Sequence, residues 1–249
     1  MAENSVKIIE GTGMKPQSIM IGFPDVGLVG LISCMHIIET LKLPEKGHVE
    51  SDLFPPLVVM HGGKFQSPLR IYSNEEITVV ISEIPIPTEA INPLARALVK
   101  WLKSKNIKHV ISLYGIPLPN RLNIESPATF ANSNDVKHEK LLKDKDIKAI
   151  DTGILAGMHA AIVWEAVKQE LPIIALGVET FANYPDPQAS ANLITDLNKI
   201  IGSNIDIQEL LDKAEELRIK LRDIMARTQE TMPKQVPGMS PVDLPAMYG

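Results

Sequence analysis

Ser18-Ile19-Met20-Ile21-Gly22-Phe23-Pro24-Asp25-Val26-Gly27-Leu28-Val29-Gly30 decides the fold. Residues 18–22 form an apolar run too short for a helix, bounded by a glycine, which predicts a buried strand. Residues 27–41 continue the apolar character long enough for a helix that stops before Pro44. Phe23-Pro24-Asp25-Val26 is then a tight strand-to-helix turn. A buried strand passing directly into a buried helix is the repeating unit of a sheet covered by helices.

The same alternation extends outward. Residues 57–60 and 69–72 flank His61-Gly62-Gly63-Lys64 and predict a hairpin, with a strand at 77–82 after Asn74-Glu75-Glu76. Thr88 is placed to cap a helix to about Lys105, because Ile91, Leu94, Leu98 and Leu102 recur at helical spacing. Strands are expected at 109–113, near 128–131 and at 173–176, and helices at 136–143 and 158–169. A Pro-rich connection (115–119) and a glycine turn (153–157) lie between them. The pattern predicts an α/β protein with a mixed, mostly parallel sheet covered on both faces.

Past Glu179 no strand is expected. Residues 186–201 and 206–228 read as two helices joined by Gly202-Ser203-Asn204. In the second, Ile207, Leu210, Ala214, Leu217, Leu221 and Ile224 follow a 3-4-3-4 spacing, a seam that packs either on its own domain or between subunits. From residue 231 the composition changes: Pro233, Pro237, Pro241 and Pro245 fall every fourth residue, which no helix or sheet tolerates. The expected organisation is a body at 1–230 and an extended tail at 231–249, reaching roughly 60 Å at ~3.1 Å per residue.

Composition narrows the function. With 249 residues, 45% hydrophobic and 22% charged, the chain can bury a full core. A net charge of −5 and 4% aromatic residues offer neither a phosphate-binding footprint nor stacking platforms, so nucleic acid is not an expected partner. No apolar run approaches the ~18 residues of a membrane span, the N-terminus lacks a signal-peptide pattern, and the one cysteine, Cys34, forms no internal disulfide. A cytoplasmic protein without a membrane partner is expected.

Three glycines between strand and helix, Gly22, Gly27 and Gly30, stand where α/β proteins receive phosphate, but their spacing is not that of a dinucleotide fold or a P-loop. They serve either a ligand cleft, with Phe23, Asp25, Gly27, Gly153 and Gly157 around it, or close packing of helix on strand. Asp25, Glu83 and Glu179 fall at strand ends, as catalytic acids or as caps. The histidines at 36, 48, 61, 109, 138 and 159 never pair at metal-ligand spacing, and no G-x-S-x-G elbow occurs, so no metal, cofactor or catalytic residue is assigned.

Three segments carry a resemblance: residues 21–30; Gly153-Ile154-Leu155-Ala156-Gly157; and Glu179-Thr180 with Tyr184-Pro185-Asp186-Pro187-Gln188-Ala189-Ser190-Ala191. In that order, over residues 18–228, the chain resembles the archaeal form of the proteasome assembly chaperone family. The resemblance implies a three-layer α/β sandwich similar to nucleoside phosphorylases but without their activity, and ATP-independent action. It implies a homotetramer or homopentamer whose C-terminal tails project toward proteasome α-subunits. Carried onto this sequence, Met247 is the apolar anchor, Tyr248 the ring at the pocket edge, and the Gly249 carboxylate the partner of a pocket lysine. Glycine at the end departs from the bulkier residues often found there. Two alternatives stay open: an activator capping the finished particle, and a ligand-binding protein or enzyme using the glycine turns at 22–30 and 153–157.

Overall fold

In the computed structural model, which describes residues 6–14, 16–105 and 107–231, the stretch at 18–30 lies at the centre of the sheet. In chain order the elements are β1 (Val6–Glu10), β2 (Ser18–Gly22), a 3-10 turn (Val26–Leu28), α1 (Val29–Thr40), β3 (Glu45–Ser51), β4 (Val59–His61), β5 (Lys64–Gln66), β6 (Leu69–Ser73) and β7 (Ile77–Ser82). There follow α2 (Thr88–Lys103), β8 (His109–Pro117), a 3-10 turn (Arg121–Asn123), β9 (Thr129–Ser133), α3 (Val136–Asp144), α4 (Gly157–Lys168), β10 (Ile174–Thr180) and α5 (Pro187–Ile201). Three short helices end the described chain: α6 (Gln208–Asp212), α7 (Ala214–Lys220) and α8 (Arg222–Thr231).

The main sheet runs β1-β3-β6-β7-β2-β8-β10-β9. β7, β2, β8 and β10 are parallel, while β1, β3 and β6 on one flank and β9 on the other pair antiparallel. Every residue of β2, β7 and β10 is buried, as strands covered on both faces require. Successive side chains of β2 part to opposite cores. Met20 joins Val79, Leu113 and Leu176 beneath α1, α5 and the C-terminal helices. Ile19 and Ile21 join Val80 and Val110 beneath α2 and α4. The fold is the expected mixed α/β sandwich of three layers, with the parallel run confined to the four central strands.

Three local readings differ. The expected hairpin partner of residues 57–60 is not 69–72: β4 pairs with β5 as a separate two-stranded sheet, and β6 pairs with β3 and β7. Gly62 and Gly63 (φ 55° and 75°) close the β4–β5 turn in two residues, too few to carry the chain to β6. β1, at the edge, and β3, next to it, escape the sequence reading because Val6-Lys7-Ile8-Ile9-Glu10 and Glu45-Lys46-Gly47-His48-Val49-Glu50-Ser51 mix charged with apolar residues and lack the apolar run of a central strand.

The expected helix over 206–228 divides at Lys213 and Leu221 into α6, α7 and α8. Its apolar seam belongs to this chain's own core. Leu210, Leu221 and Met225 are buried with α1 and α5, and Ile207, Leu217 and Ile224 pack beside them. Leu221→Ala should therefore lower unfolding free energy by about 2–4 kcal/mol in urea melts while leaving the native mass of the protein unchanged.

Candidate functional site

In open α/β sheets, ligands enter at the carboxyl ends of strands where neighbouring connections leave over opposite faces. Here the chain leaves β2 over one face through α1 and leaves β7 over the other through α2. The turn after β2 therefore occupies the position a ligand crevice would take. Gly27 (φ 65°) and Leu28 (φ 53°) are consecutive left-handed residues, and Leu28 holds that unfavourable geometry with its side chain fully buried.

The turn is packed by its own chain. A Cβ on Gly27 would lie 2.0 Å from Thr180 Oγ1, and one on Gly115, at the end of β8, 2.1 Å from the Val26 carbonyl oxygen. Gly115 N–H donates to Asp25 Oδ2 at 2.8 Å. His159, in the first turn of α4, brings Nε2 to 3.7 Å from the same oxygen, and its Nδ1 is 2.7 Å from Ser112 Oγ in β8. The rings of Phe23 and Tyr114 lie against the imidazole, at centroid distances of 6.1 and 6.2 Å.

Of the residues expected at a cleft, Phe23, Asp25 and Gly27 thus stand together. Gly157 starts α4 in a left-handed conformation two residues before His159, and Gly153 lies exposed in the loop before it. The two glycine turns meet at one end of the sheet. Two surface hollows lie away from it, one between α1 and α6–α7 around His36 and Lys213, the other beside β9 and α3 around Lys143 and Lys148.

Burial sets the electrostatics. It pushes the Asp25 carboxyl up to about 8, opposed by N–H donation from Gly115 and Gly30, and drives His159 down to about 4. Tyr114 rises to about 12 through burial and then through the neighbouring Asp25. Neutral acid and neutral imidazole are thus the resident forms, with Asp25 Oδ1 and His159 Nε2 buried without a hydrogen-bond partner among the described residues. Ser112, His159 and Asp25 have the residue types of a hydrolytic triad, but Ser112 is fully buried within β8 and its Oγ is engaged with Nδ1. A nucleophile must reach a substrate, and this hydroxyl reaches none.

The run from Glu179 to Ala191 forms a second buried cluster on the other side of the turn. Asp186 is fully buried, accepts from Arg121 Nε at 2.8 Å and Nη2 at 3.2 Å, and caps α5 by accepting from Ala189 N–H. Thr180 Oγ1 also donates to it, and Asp186 N–H donates to the Gly27 carbonyl at 2.9 Å. Arg121 stacks on Phe181 and donates to the Ile124 carbonyl. The other strand-end acids are tied down as well: Glu179 accepts from Ala128 N–H, and Glu83 pairs with buried Arg70 and with His61. Burial pushes the Cys34 thiol up, away from reactivity.

Among the described residues no cluster of three His, Cys, Asp or Glu could hold a metal, and no helix is long and apolar enough to cross a membrane. Met247, Tyr248 and Gly249 lie outside the described residues. The approach to them is described: Gln229 Nε2 near the end of α8 donates to the Asn183 carbonyl at 3.1 Å, so α8 finishes at the carboxyl end of the sheet. Arg121, Ser112 and Tyr114 belong to no stretch that the sequence marks out as a candidate site, whereas Thr180 lies within the Glu179–Ala191 run. Only the first had a signal, as an arginine just after a Pro-rich strand exit.

Together these features define a three-layer α/β protein whose switch-point turn is packed by its own glycines and by a buried ion pair. The chain belongs to the PAC2 family, whose model matches residues 19–225. It is 31% identical over 235 residues to an uncharacterised protein of Methanocaldococcus jannaschii, covering 93% of this chain and 95% of the relative. Its structure is similar to that of Pyrococcus furiosus PbaA, an archaeal homologue of proteasome-assembly chaperone, with TM-score 0.84 and 30% identity over 90% of this chain and 98% of that one. Pyrococcus furiosus PbaB, an archaeal proteasome activator, shares the fold at TM-score 0.72 and 19% identity, over 90% and 99% of the two chains.

Two outcomes follow from the buried clusters. Asp25 keeps its proton to about pH 8 when folded and loses it near 3.8 when unfolded, so the stability it contributes is full below pH 4 and lost as pH rises through 8. His159 and His109, both lowered to about 4, act oppositely between pH 4 and 6.5. From pH 6.5 to 8 the Asp25 effect should stand alone, a fall of about 1–2 kcal/mol in urea melts that Asp25→Asn abolishes. Arg121→Met should cost about 3–5 kcal/mol at pH 7, because it leaves the Asp186 carboxylate buried beside no cation.

Proposed function

We propose that this chain is an ATP-independent chaperone or adaptor for proteasome α-subunits, a homotetramer or homopentamer in the cytoplasm that acts through its C-terminal tails. The observation that carries the reading is the near full-length similarity to PbaA at 30% identity, within a shared family. The packing of the turn after β2 agrees with a body that presents a binding element rather than turning over a substrate.

The binding element is the end of the tail. Met247 fills an apolar pocket, the Tyr248 ring wedges at its edge, and the Gly249 carboxylate meets a lysine. Three residues bury little surface, so one tail binds weakly, in about the tens of micromolar; several tails on one oligomer raise avidity ~10²-fold. In this reading the body counts and spaces the tails. The exit of α8 beside Asn183 gives each copy the same point of departure.

Deleting residues 247–249 should reduce affinity for proteasome α-rings at least ~10²-fold by titration, with the melting temperature and native mass unchanged. Equal binding by the shortened protein would refute the reading.

A further inference from the structure

We propose that the carboxyl end of the sheet is a second docking surface, an apolar face of the body that packs on the same protein partner the tail engages. The inference rests on the tail-docking reading and adds to it a contact made by the folded body.

Of the twelve large apolar side chains left exposed among the described residues, six lie in the connections at this end of the sheet or in the hairpin that folds back from it: Val58, Met60, Phe65, Leu122, Ile154 and Tyr184, between 62 and 87% exposed. The topology places each of them. The β4–β5 hairpin lies between the end of β3 and the start of β6, and His61 contacts Glu83, just past the end of β7, at 3.0 Å. Leu122 is in the turn after β8, and Tyr184 follows β10. Ile154 precedes α4, whose first turn reaches Asp25.

The hairpin is the clearest part. Met60 and Phe65 face each other across it in register, a cross-strand apolar pair that would ordinarily be covered. An isolated two-stranded hairpin has little stability of its own. This one is fixed to the body from its polar positions, by His61 to Glu83 just past β7 and by Gln66 Nε2 to Glu45, at the start of β3, at 2.8 Å, so it lies back across the β3–β6 flank. Those anchors hold the hairpin in place while its apolar pair stays in solvent.

Size and position indicate the occupant. The six side chains together expose roughly 800 Å², about one partner's share of a standard protein interface. The buried charges near this face, Arg121 with Asp186 and Arg70 with Glu83, are paired internally, while exposed Lys64, Glu125 and Asp151 supply a polar rim among the apolar side chains. α8 ends here, bonded to Asn183 next to Tyr184, with residues 232–249 still to follow. A partner held by the end of that segment stays within roughly 60 Å of the face, at an effective concentration near millimolar, so even a weak apolar contact is populated. A second copy seated on this face would cover the points from which the tails depart. The partner of the tails is the occupant that uses both.

The test titrates full-length protein with archaeal proteasome α-rings, comparing wild type with Met60→Ser/Phe65→Ser and with Leu122→Ser/Tyr184→Ser. Thermal melts and native mass check each variant, and a peptide of residues 232–249 reports tail docking separately. The expected result is about tenfold weaker ring binding by each variant, with fold, native mass and peptide affinity unchanged. Undiminished binding by both variants, where wild type binds and the tail-less protein does not, overturns this inference and leaves the tail reading intact. A smaller native mass in the variants makes the face a contact between copies and overturns it as well. If wild type itself does not bind, the tail reading fails and this inference falls with it.

Discussion

The structure depends on one buried ion pair, Arg121 with Asp186. Each partner alone would be costly in the interior, and together they are tolerable because the remaining lone pairs and protons are also satisfied. Asp186 accepts from Arg121, Thr180, Phe181 N–H and Ala189 N–H, and Arg121 also donates through Nη1 to the Ile124 carbonyl. The pair therefore joins the end of β8, the end of β10 and the start of α5. Asp186 N–H then adds the turn after β2 through Gly27. Four segments distant in sequence share one carboxylate and its backbone, and the turn cannot open without disturbing it.

This junction also explains the glycines. Where Thr180 approaches Gly27 and Val26 approaches Gly115, the space for a Cβ is taken by the neighbouring segment. In a phosphate-binding fold the corresponding glycines leave room for the ligand, with backbone N–H groups aimed at it. Here one such N–H, from Gly115, is aimed at Asp25, so a side chain of the protein stands where an anion would. The carboxyl group responds to its surroundings: burial favours its neutral form, and the imidazole beside it is neutral for the same reason.

Much of this was legible in the sequence, and the limits have physical causes. β2, α1, β7, α2, β8, α4 and β10 announce themselves because full burial demands unbroken apolar character. β1, at the edge, and β3, next to it, do not, since both are partly exposed and carry charge. The pairing of residues 57–72 turns on one local fact, that two glycines close a turn by themselves, which the apolar runs on either side do not reveal. The run Tyr184-Pro185-Asp186-Pro187 could be recognised as specific, but its meaning required Arg121, 65 residues away, and no local pattern links the two. Likewise His159 reads as one of six isolated histidines until folding brings α4 to Asp25.

The seam at 207–224 shows how a correct pattern leaves its partner undetermined. Spacing fixes which side chains share a face but not what covers that face, and a 3-4-3-4 stripe serves a subunit interface as well as a domain core. The structure resolves it by contact: Leu210, Leu221 and Met225 are buried in one cluster with residues of α1 and α5, so the stripe is covered by its own body. With that stripe committed to its own body, the large apolar side chains left exposed lie outside it. The exposed residues divide naturally, because Trp164 and Val167 lie on the outer side of α4 while the loop residues gather at the end where α8 stops.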